Sequence, residues 1–272
     1  MTAAIAGPRI RGAGSATRLL LSLLGSLVLI VVIWVAFLLA FPDVGPIIGR
    51  TPLDVFAYLF TDPDAAANRG DLFDRLWITL ADTGIGFVTG MVAAIVVAAV
   101  FTLSRPAAQT FMPLAMLMRS VPLVAVTPLI TMIVGRGPAC VAVMGGIIVF
   151  FPALVMIMTG LAGAPRQIAD VISAYGGSRT TTLRLASLPA AVPSLFAAAK
   201  ISVPGAMIGA TVSEWLGTNK GLGASLQQAL PAAAYDELWA SVVVITVSSI
   251  VLYAVVGVCE ALVLSRMGTA TS

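Results

Sequence analysis

"GGSRTTTLRLASLP", residues 176–189, breaks an otherwise apolar chain with a Gly-Gly pair, three threonines, Arg179 and Arg184. Apolar runs long enough to cross a bilayer lie on either side, so this polar stretch reads as a loop between two membrane spans. The whole chain follows that pattern. Of its 272 residues 59% are hydrophobic and 10% charged, with a mean hydropathy of +1.05. Soluble domains carry about 25% charged residues, so the composition specifies an integral membrane protein. Runs of about 20 apolar residues number six, at 19–41, 83–103, 113–134, 138–161, 190–216 and 238–264. A transmembrane β-barrel is excluded, because its strands would alternate apolar and polar residues.

Upstream of the Gly-Gly pair stands "PRQIADVISAYGG", residues 165–177. Pro165 suits a first helical turn, Gly176-Gly177 suits a left-handed stop, and Ile168, Val171, Ile172 and Tyr175 recur at helical spacing. The expectation is a short amphipathic helix, followed by a second helix capped by Ser178 and carrying Arg179 and Arg184 into Leu188-Pro189. On pattern alone, a helix lying at the lipid interface and a helix docking a partner fit equally.

The first span follows Arg9, Arg11 and Arg18, but its apolar core exceeds a signal-peptide h-region and ends in Phe41-Pro42-Asp43, so it reads as retained. Six spans place both termini on one side. Lys and Arg are biased toward the face holding the N-terminal tail, Arg105, Arg166, Arg179, Arg184 and Arg266, which predicts cytoplasmic termini. The layout expected is a tail at 1–18, a transmembrane domain at 19–264 and a tail at 265–272, with an outer loop at 42–82 and a cytoplasmic coupling loop at 162–189. Within the outer loop, "TPLDVFAYLF" (51–60) predicts a short surface helix, and "TDPDAAANRGD" (61–71) reads as loop by composition. Cys140 and Cys259 fall in apolar spans and imply no disulfide.

The stretch "DVISAYGGSRTTTLRLASLPAAVP" resembles the cytoplasmic loop of bacterial ABC-importer permeases, whose pattern is Glu-Ala-Ala, three residues, Gly, then Leu-Pro about a dozen residues on. Asp170 stands at the Glu, Gly176 at the Gly, and Leu188, Pro189 and Pro193 at the later positions; Val171 and Ile172 replace the two alanines. "RSVPLVAVTPLITMIVGRG" (119–137), "FFPALVMIMTG" (150–160) and "ATVSEWLGTNKGLG" (210–223) are similar to stretches of the nitrate/taurine/aliphatic-sulfonate branch. The resemblance implies an all-α membrane protein like the type I importer permeases, with a coupling helix formed by Ile168, Asp170, Val171, Ile172, Ala174, Tyr175, Gly176, Arg179, Leu188 and Pro189. It further implies two ABC ATPase subunits carrying ATP and Mg, a second permease copy, a periplasmic or lipid-anchored solute-binding protein, and a bacterial inner-membrane location. A nucleic-acid partner is not expected.

The residues themselves fit this division of labour. A P-loop needs Gly-Lys-Ser/Thr, and the two lysines, Lys200 and Lys220, follow Ala199 and Asn219, so this chain lacks that ATP site. No cofactor, metal or catalytic site is expected on it. Proline and glycine punctuate the third and fifth spans, which makes Pro122, Pro128, Met132, Met207, Thr211 and Glu214 candidates for a pathway or gate, although both residues are common in membrane helices. Glu214 reads either as a gate or subunit contact or as an interfacial carboxylate. Lys200 snorkels or pairs with another element, Arg119 and Glu260 anchor span ends, and Trp77, Trp215 and Trp239 form an interfacial belt. A secondary transporter would need inverted repeats and a midplane ion site, and an intramembrane enzyme would need a base or nucleophile elbow; with no histidine and no Gly-x-Ser-x-Gly, both read less well.

Overall fold

The structure, a computed structural model, describes residues 13–41, 48–118 and 120–267, with the backbone alone described for 13–24 and 118. Arg9, Arg11, Pro42, Asp43, Arg119 and the chain beyond Met267 lie outside the described residues. All regular structure within them is helical.

Helix α1 (Ala13–Ala40) is followed by α2 (Pro52–Phe56), which continues as a π-helical turn through Thr61. The Thr-Pro start works as expected: Thr51 and Asp54 close a capping box, and Pro52 fills the first turn. Leu53, Phe56 and Phe60 then form an exposed apolar edge.

Helix α3 runs unbroken from Ala65 to Leu103, so the apolar run at 83–103 is the second half of a longer helix. One expectation is corrected: most of the stretch read as loop by composition, 65–71 of 61–71, is helix. Tertiary packing overrides the local signal there. Leu72 is buried with Val55, Leu222 and Ala240, while Asn68 and Arg69 donate to the carbonyls of Tyr58 and Leu59.

The third span is also interrupted. Helix α4 (Arg105–Met118) stops and α5 (Leu123–Val134) restarts after Pro122, whose ring disfavours helix in the residue before it. Next come α6 (Pro138–Ala162), α7 (Arg166–Ala174), α8 (Arg179–Thr182), α9 (Leu188–Ser213), α10 (Gly221–Ala229) and α11 (Tyr235–Arg266). Helix α8 joins α9 through a π-helical turn at Leu183–Ser187, so the helix capped by Ser178 is the first turn of the fifth span. Among the described residues four helical stretches are long and apolar enough to cross a membrane: Ala65–Leu103, Pro138–Ala162, Arg179–Thr218 and Tyr235–Arg266. Gly25–Ala40 and Leu123–Val134 are shorter apolar helices.

The core is the α3–α6–α9 trio, filled by Ala94, Ala98, Val149, Leu154, Ile157 and Ala206. Close approach centres on Gly145. A Cβ there would lie 2.8 Å from the Gly86 Cα, and one on Gly209 would lie 2.6 Å from the Gly145 Cα, so only glycine lets three backbones meet. At the other end of α11, Arg50 pairs with Asp236 at 2.5 Å, and that hydrogen bond raises the guanidinium pKa further. Trp239 stacks on Trp34 with ring centroids 5.1 Å apart and donates its indole N–H to the Ile48 carbonyl. It therefore fastens α1 and the chain at Ile48 to α11, whereas Trp77 and Trp215 are exposed as belt residues would be.

Candidate functional site

Residues 165–189 build a rigid corner at one end of the bundle. Helix α7 ends in a full Schellman stop: Gly177 N donates to Ile172 O at 2.8 Å and Gly176 N to Ser173 O at 3.0 Å, with Gly176 at φ +78°. Ser178 Oγ then accepts from Thr181 N and starts the next helix. Leu183, Ala186 and Ser187 are buried, and Leu183 belongs to the α3–α6–α9 core, so the corner is anchored rather than hanging free.

The anchoring leaves one face of α7 uncovered. Ile168 is 47% exposed, Val171 56% and Tyr175 89%. The fourth member of the expected stripe differs: Ile172 is half-buried, and a Cβ on Gly177 would meet its Cγ2 at 2.4 Å. Asp170, Ala174 and Gly176 are exposed beside the stripe, as are Leu188 and Pro189 at the start of α9. Arg179 reaches back 3.4 Å to the Leu103 carbonyl, one of the unpaired acceptors at the end of α3.

A second constellation surrounds Glu214, which is fully buried. Its Oε2 accepts from Gly223 N at 2.7 Å and from Thr79 Oγ1 at 3.0 Å, and Thr79 Oγ1 accepts from Leu222 N at 2.9 Å. The carboxylate thus binds the first turn of α10, where free N–H groups and the helix dipole favour an anion. The fit leaves no spare volume: a Cβ on Gly221 would stand 2.5 Å from the Glu214 Cδ, and one on Gly223 2.3 Å from the Thr211 carbonyl. Oε1 has no partner. Glu214 is therefore not at the interface with lipid or water, and its ligands lie within this chain. Sequence reasoning missed Thr79, Gly221 and Gly223; the Gly-Leu-Gly triplet a short distance after a span acid was the available signal.

The remaining pathway candidates divide into two groups. Met207 is buried and accepts from Thr83 Oγ1, and Thr211 donates to the Met207 carbonyl; both wall a cleft of about 470 Å3 between α9 and α11. Pro122 precedes α5, Pro128 lies inside it, and Met132 is 82% exposed on it. Helix α5 approaches the Glu214–Thr218 turn through Thr131, which a Cβ on Gly217 would meet at 3.5 Å. Lys200 pairs with Glu260 of α11 at 2.5 Å, so Glu260 is a partner within the spans and more than an end anchor. Among the described residues no His/Cys/Asp/Glu group could hold a metal.

Residues 86–269 match the family described as "Binding-protein-dependent transport system inner membrane component". A probable ABC transporter permease protein of Haemophilus influenzae is 30% identical over 203 residues, 72% of this chain and 82% of that protein. The formylaminopyrimidine transport permease protein ThiX of Halalkalibacterium halodurans is 28% identical over 151 residues, 56% of this chain and 60% of that one. The putative aliphatic sulfonates transport permease protein SsuC of Bacillus subtilis is 23% identical over 178 residues, 65% of this chain and 64% of that one. The fold resembles a chain of the inward-facing MetNI methionine ABC transporter, with a TM-score of 0.62 and 20% identity over 72% of this chain and 97% of that one. The chain thus belongs to the family of binding-protein-dependent transport system inner membrane components, and it is the multi-pass permease subunit of an ABC importer.

Proposed function

We propose that this permease couples to its ATPase through the corner at 165–189, with the exposed stripe of Ile168, Val171 and Tyr175 seated in a groove of the ATPase subunit. The observation that carries the reading is the stripe itself, apolar and uncovered on a helix whose C-terminal end is fixed by the Gly176-Gly177 stop. Helix α7 leads through the Gly-Gly stop into α8 and the buried Leu183 of the following turn, so a push on α7 passes to α9, whereas a push on a helix lying loosely on lipid would not. In this arrangement two ATPases carrying ATP and Mg serve two copies of the permease. Both termini and the corner face the cytoplasm, and a periplasmic or lipid-anchored binding protein delivers solute to the opposite side. Residues 19–264 act as the translocating domain, and α5 and α9 line the pathway, with α10 held by Glu214 as part of the outer gate.

The solute class follows the branch whose motifs the sequence resembles: small organic anions such as sulfonates, or nitrate, with vitamin precursors and aromatic acids as the alternatives that relatives of this branch carry. The lysine within the spans is already neutralised by Glu260, so discrimination falls mainly to the binding protein. The test places a photo-crosslinker at Tyr175 in membranes expressing the whole transporter. Nucleotide-dependent crosslinks to the ATPase support the docking reading; crosslinks only to lipid would remove it.

A further inference from the structure

Two cavities adjoin where α3 gives way to α4. One is a polar pocket of about 410 Å3, walled by Thr102, Arg105, Ser173, Gly177, Arg179 and Thr182 among others. The other is an apolar cleft of about 680 Å3 between α3, α4 and α6, whose walls include Val97, Phe101, Phe111, Leu114, Ala115 and Leu154. Phe101 and Thr102 are consecutive residues with one in each wall, so the cleft and the pocket are neighbours at this level of α3. The pocket lies at the end of α3, a helix long and apolar enough to cross a membrane, and the cleft runs from Phe101 back along the same helix to Thr89, so a ligand with a polar head and an apolar tail matches the pair.

The pocket is positively charged without an internal counter-ion. Arg105 and Arg179 are exposed, and among the described residues neither has a carboxylate within 4 Å. Asp170 is the sole acid in residues 104–189 and does not wall the pocket. The hydroxyls of Thr102, Ser173 and Thr182 donate to Ala98, Ala169 and Ser178 carbonyls, so the charged donors left for a ligand are the Arg105 guanidinium and the N–H groups of Arg179 that do not reach the Leu103 carbonyl, with the Ser187 hydroxyl beside them. Guanidinium forks bind phosphate oxygens in pairs, and basic pockets between spanning helices suit anionic headgroups.

We propose that this is a binding site for an anionic phospholipid, with the headgroup phosphate between Arg105 and Arg179 and an acyl chain along the apolar cleft. The charge selects an anion, and the adjoining cleft selects a lipid over free phosphate. A bound headgroup would tie the start of α8 to the start of α4 and so stiffen the corner at Gly176-Gly177. The inference does not depend on the ATPase, because Ile168, Val171 and Tyr175 are not among the residues walling the pocket.

The experiment is native mass spectrometry of the full chain, purified and exchanged into micelles holding equal amounts of phosphatidylglycerol and phosphatidylethanolamine. The expected result is retention of phosphatidylglycerol about tenfold above phosphatidylethanolamine, the scale of one charge-assisted contact. Arg105→Gln should abolish that preference, and Ala115→Phe, which fills the cleft without changing charge, should lower retention of both lipids. Equal retention of the two lipids by the wild type, or retention unchanged in Arg105→Gln, would overturn the proposal. So would full displacement by millimolar inorganic phosphate, which would mark a free-anion pocket. A Leu114→Cys disulfide between two copies in lipid-replete membranes would assign the cleft to a second permease and would overturn it as well.

Discussion

Substituting Gly176 tests the rigid corner most sharply, because the strain there comes from the backbone alone. Gly176 sits at φ +78° with no atom within 4 Å of where a Cβ would be, so a larger side chain meets no neighbour. An L-residue held in this left-handed conformation costs about 1–2 kcal/mol, and a β-branched one lies at the upper end. At about 1.4 kcal/mol per tenfold, Gly176→Val should lower the population of the native corner roughly 5–30-fold. Asparagine visits the left-handed region readily, so Gly176→Asn should stay within about threefold of wild type. Gly135 is a control outside the corner, also at φ +78° in open space but between α5 and α6 and with ψ 178°, a region that L-residues adopt even less readily. The assay is solute-stimulated ATP hydrolysis by the transporter in proteoliposomes, with insertion and thermal stability measured in parallel. Gly176→Val should lose stimulation by the stated factor, while Gly135→Val loses at least as much stability and keeps its stimulation. Full stimulation in Gly176→Val, or equal loss in both valine variants, would refute the reasoning.

Glu214→Ala removes the acceptor for Gly223 N and Thr79 Oγ1, each about 1–3 kcal/mol when left unpaired in the interior, and should lower stability in detergent by about 2–4 kcal/mol. Glu214→Gln keeps a carbonyl oxygen for both donors and should lose less than half of that; equal losses would mean that charge rather than hydrogen bonding holds α10. Glu260→Gln leaves the Lys200 ammonium unpaired within the spans and should cost about 1–3 kcal/mol, much of it recovered by adding Lys200→Met; a double-mutant cycle with no coupling would show the pair to be inert. Gly145→Ala forces α6 away from Gly86 of α3 and should cost about 1–3 kcal/mol, against little change for Gly84→Ala, whose Cβ meets nothing within 4 Å; thermal melts of the two variants decide it.

What could be read from the sequence was local. The Pro165 start, the Gly-Gly stop and the Ser178 cap each depend on residues within a turn of one another, and all three stand as expected. The capping box at Thr51 is of the same kind. Non-local features were hidden. The proline, asparagine, glycine and aspartates of residues 61–71 look like a loop, and the hydrogen bonds of Asn68 and Arg69 to the Tyr58 and Leu59 carbonyls, with Leu72 just beyond buried against Leu222 and Ala240, come from outside any local window. Thr79 meets Glu214 across 135 positions, and Leu222 meets Thr79 across 143, so no window along the chain could pair them. Lys200 was legible as a residue in need of a partner, but Glu260 as that partner required the α9–α11 contact. The Ile172 face shows the limit of periodicity: spacing put four residues on one stripe, and the Schellman turn folded Gly177 over one of them.

The central claim is that the 165–189 corner joins this permease to a separate ATPase. The most direct measurement is gentle solubilisation of native membranes containing the tagged full chain, followed by mass spectrometry of what co-purifies with wild type and with Tyr175→Asp, which places a charge on the most exposed part of the stripe. An ABC ATPase in stoichiometric amount with wild type, reduced severalfold or more with Tyr175→Asp while the permease itself stays folded, is the result expected. An ATPase recovered equally with both would place the contact elsewhere and contradict the account.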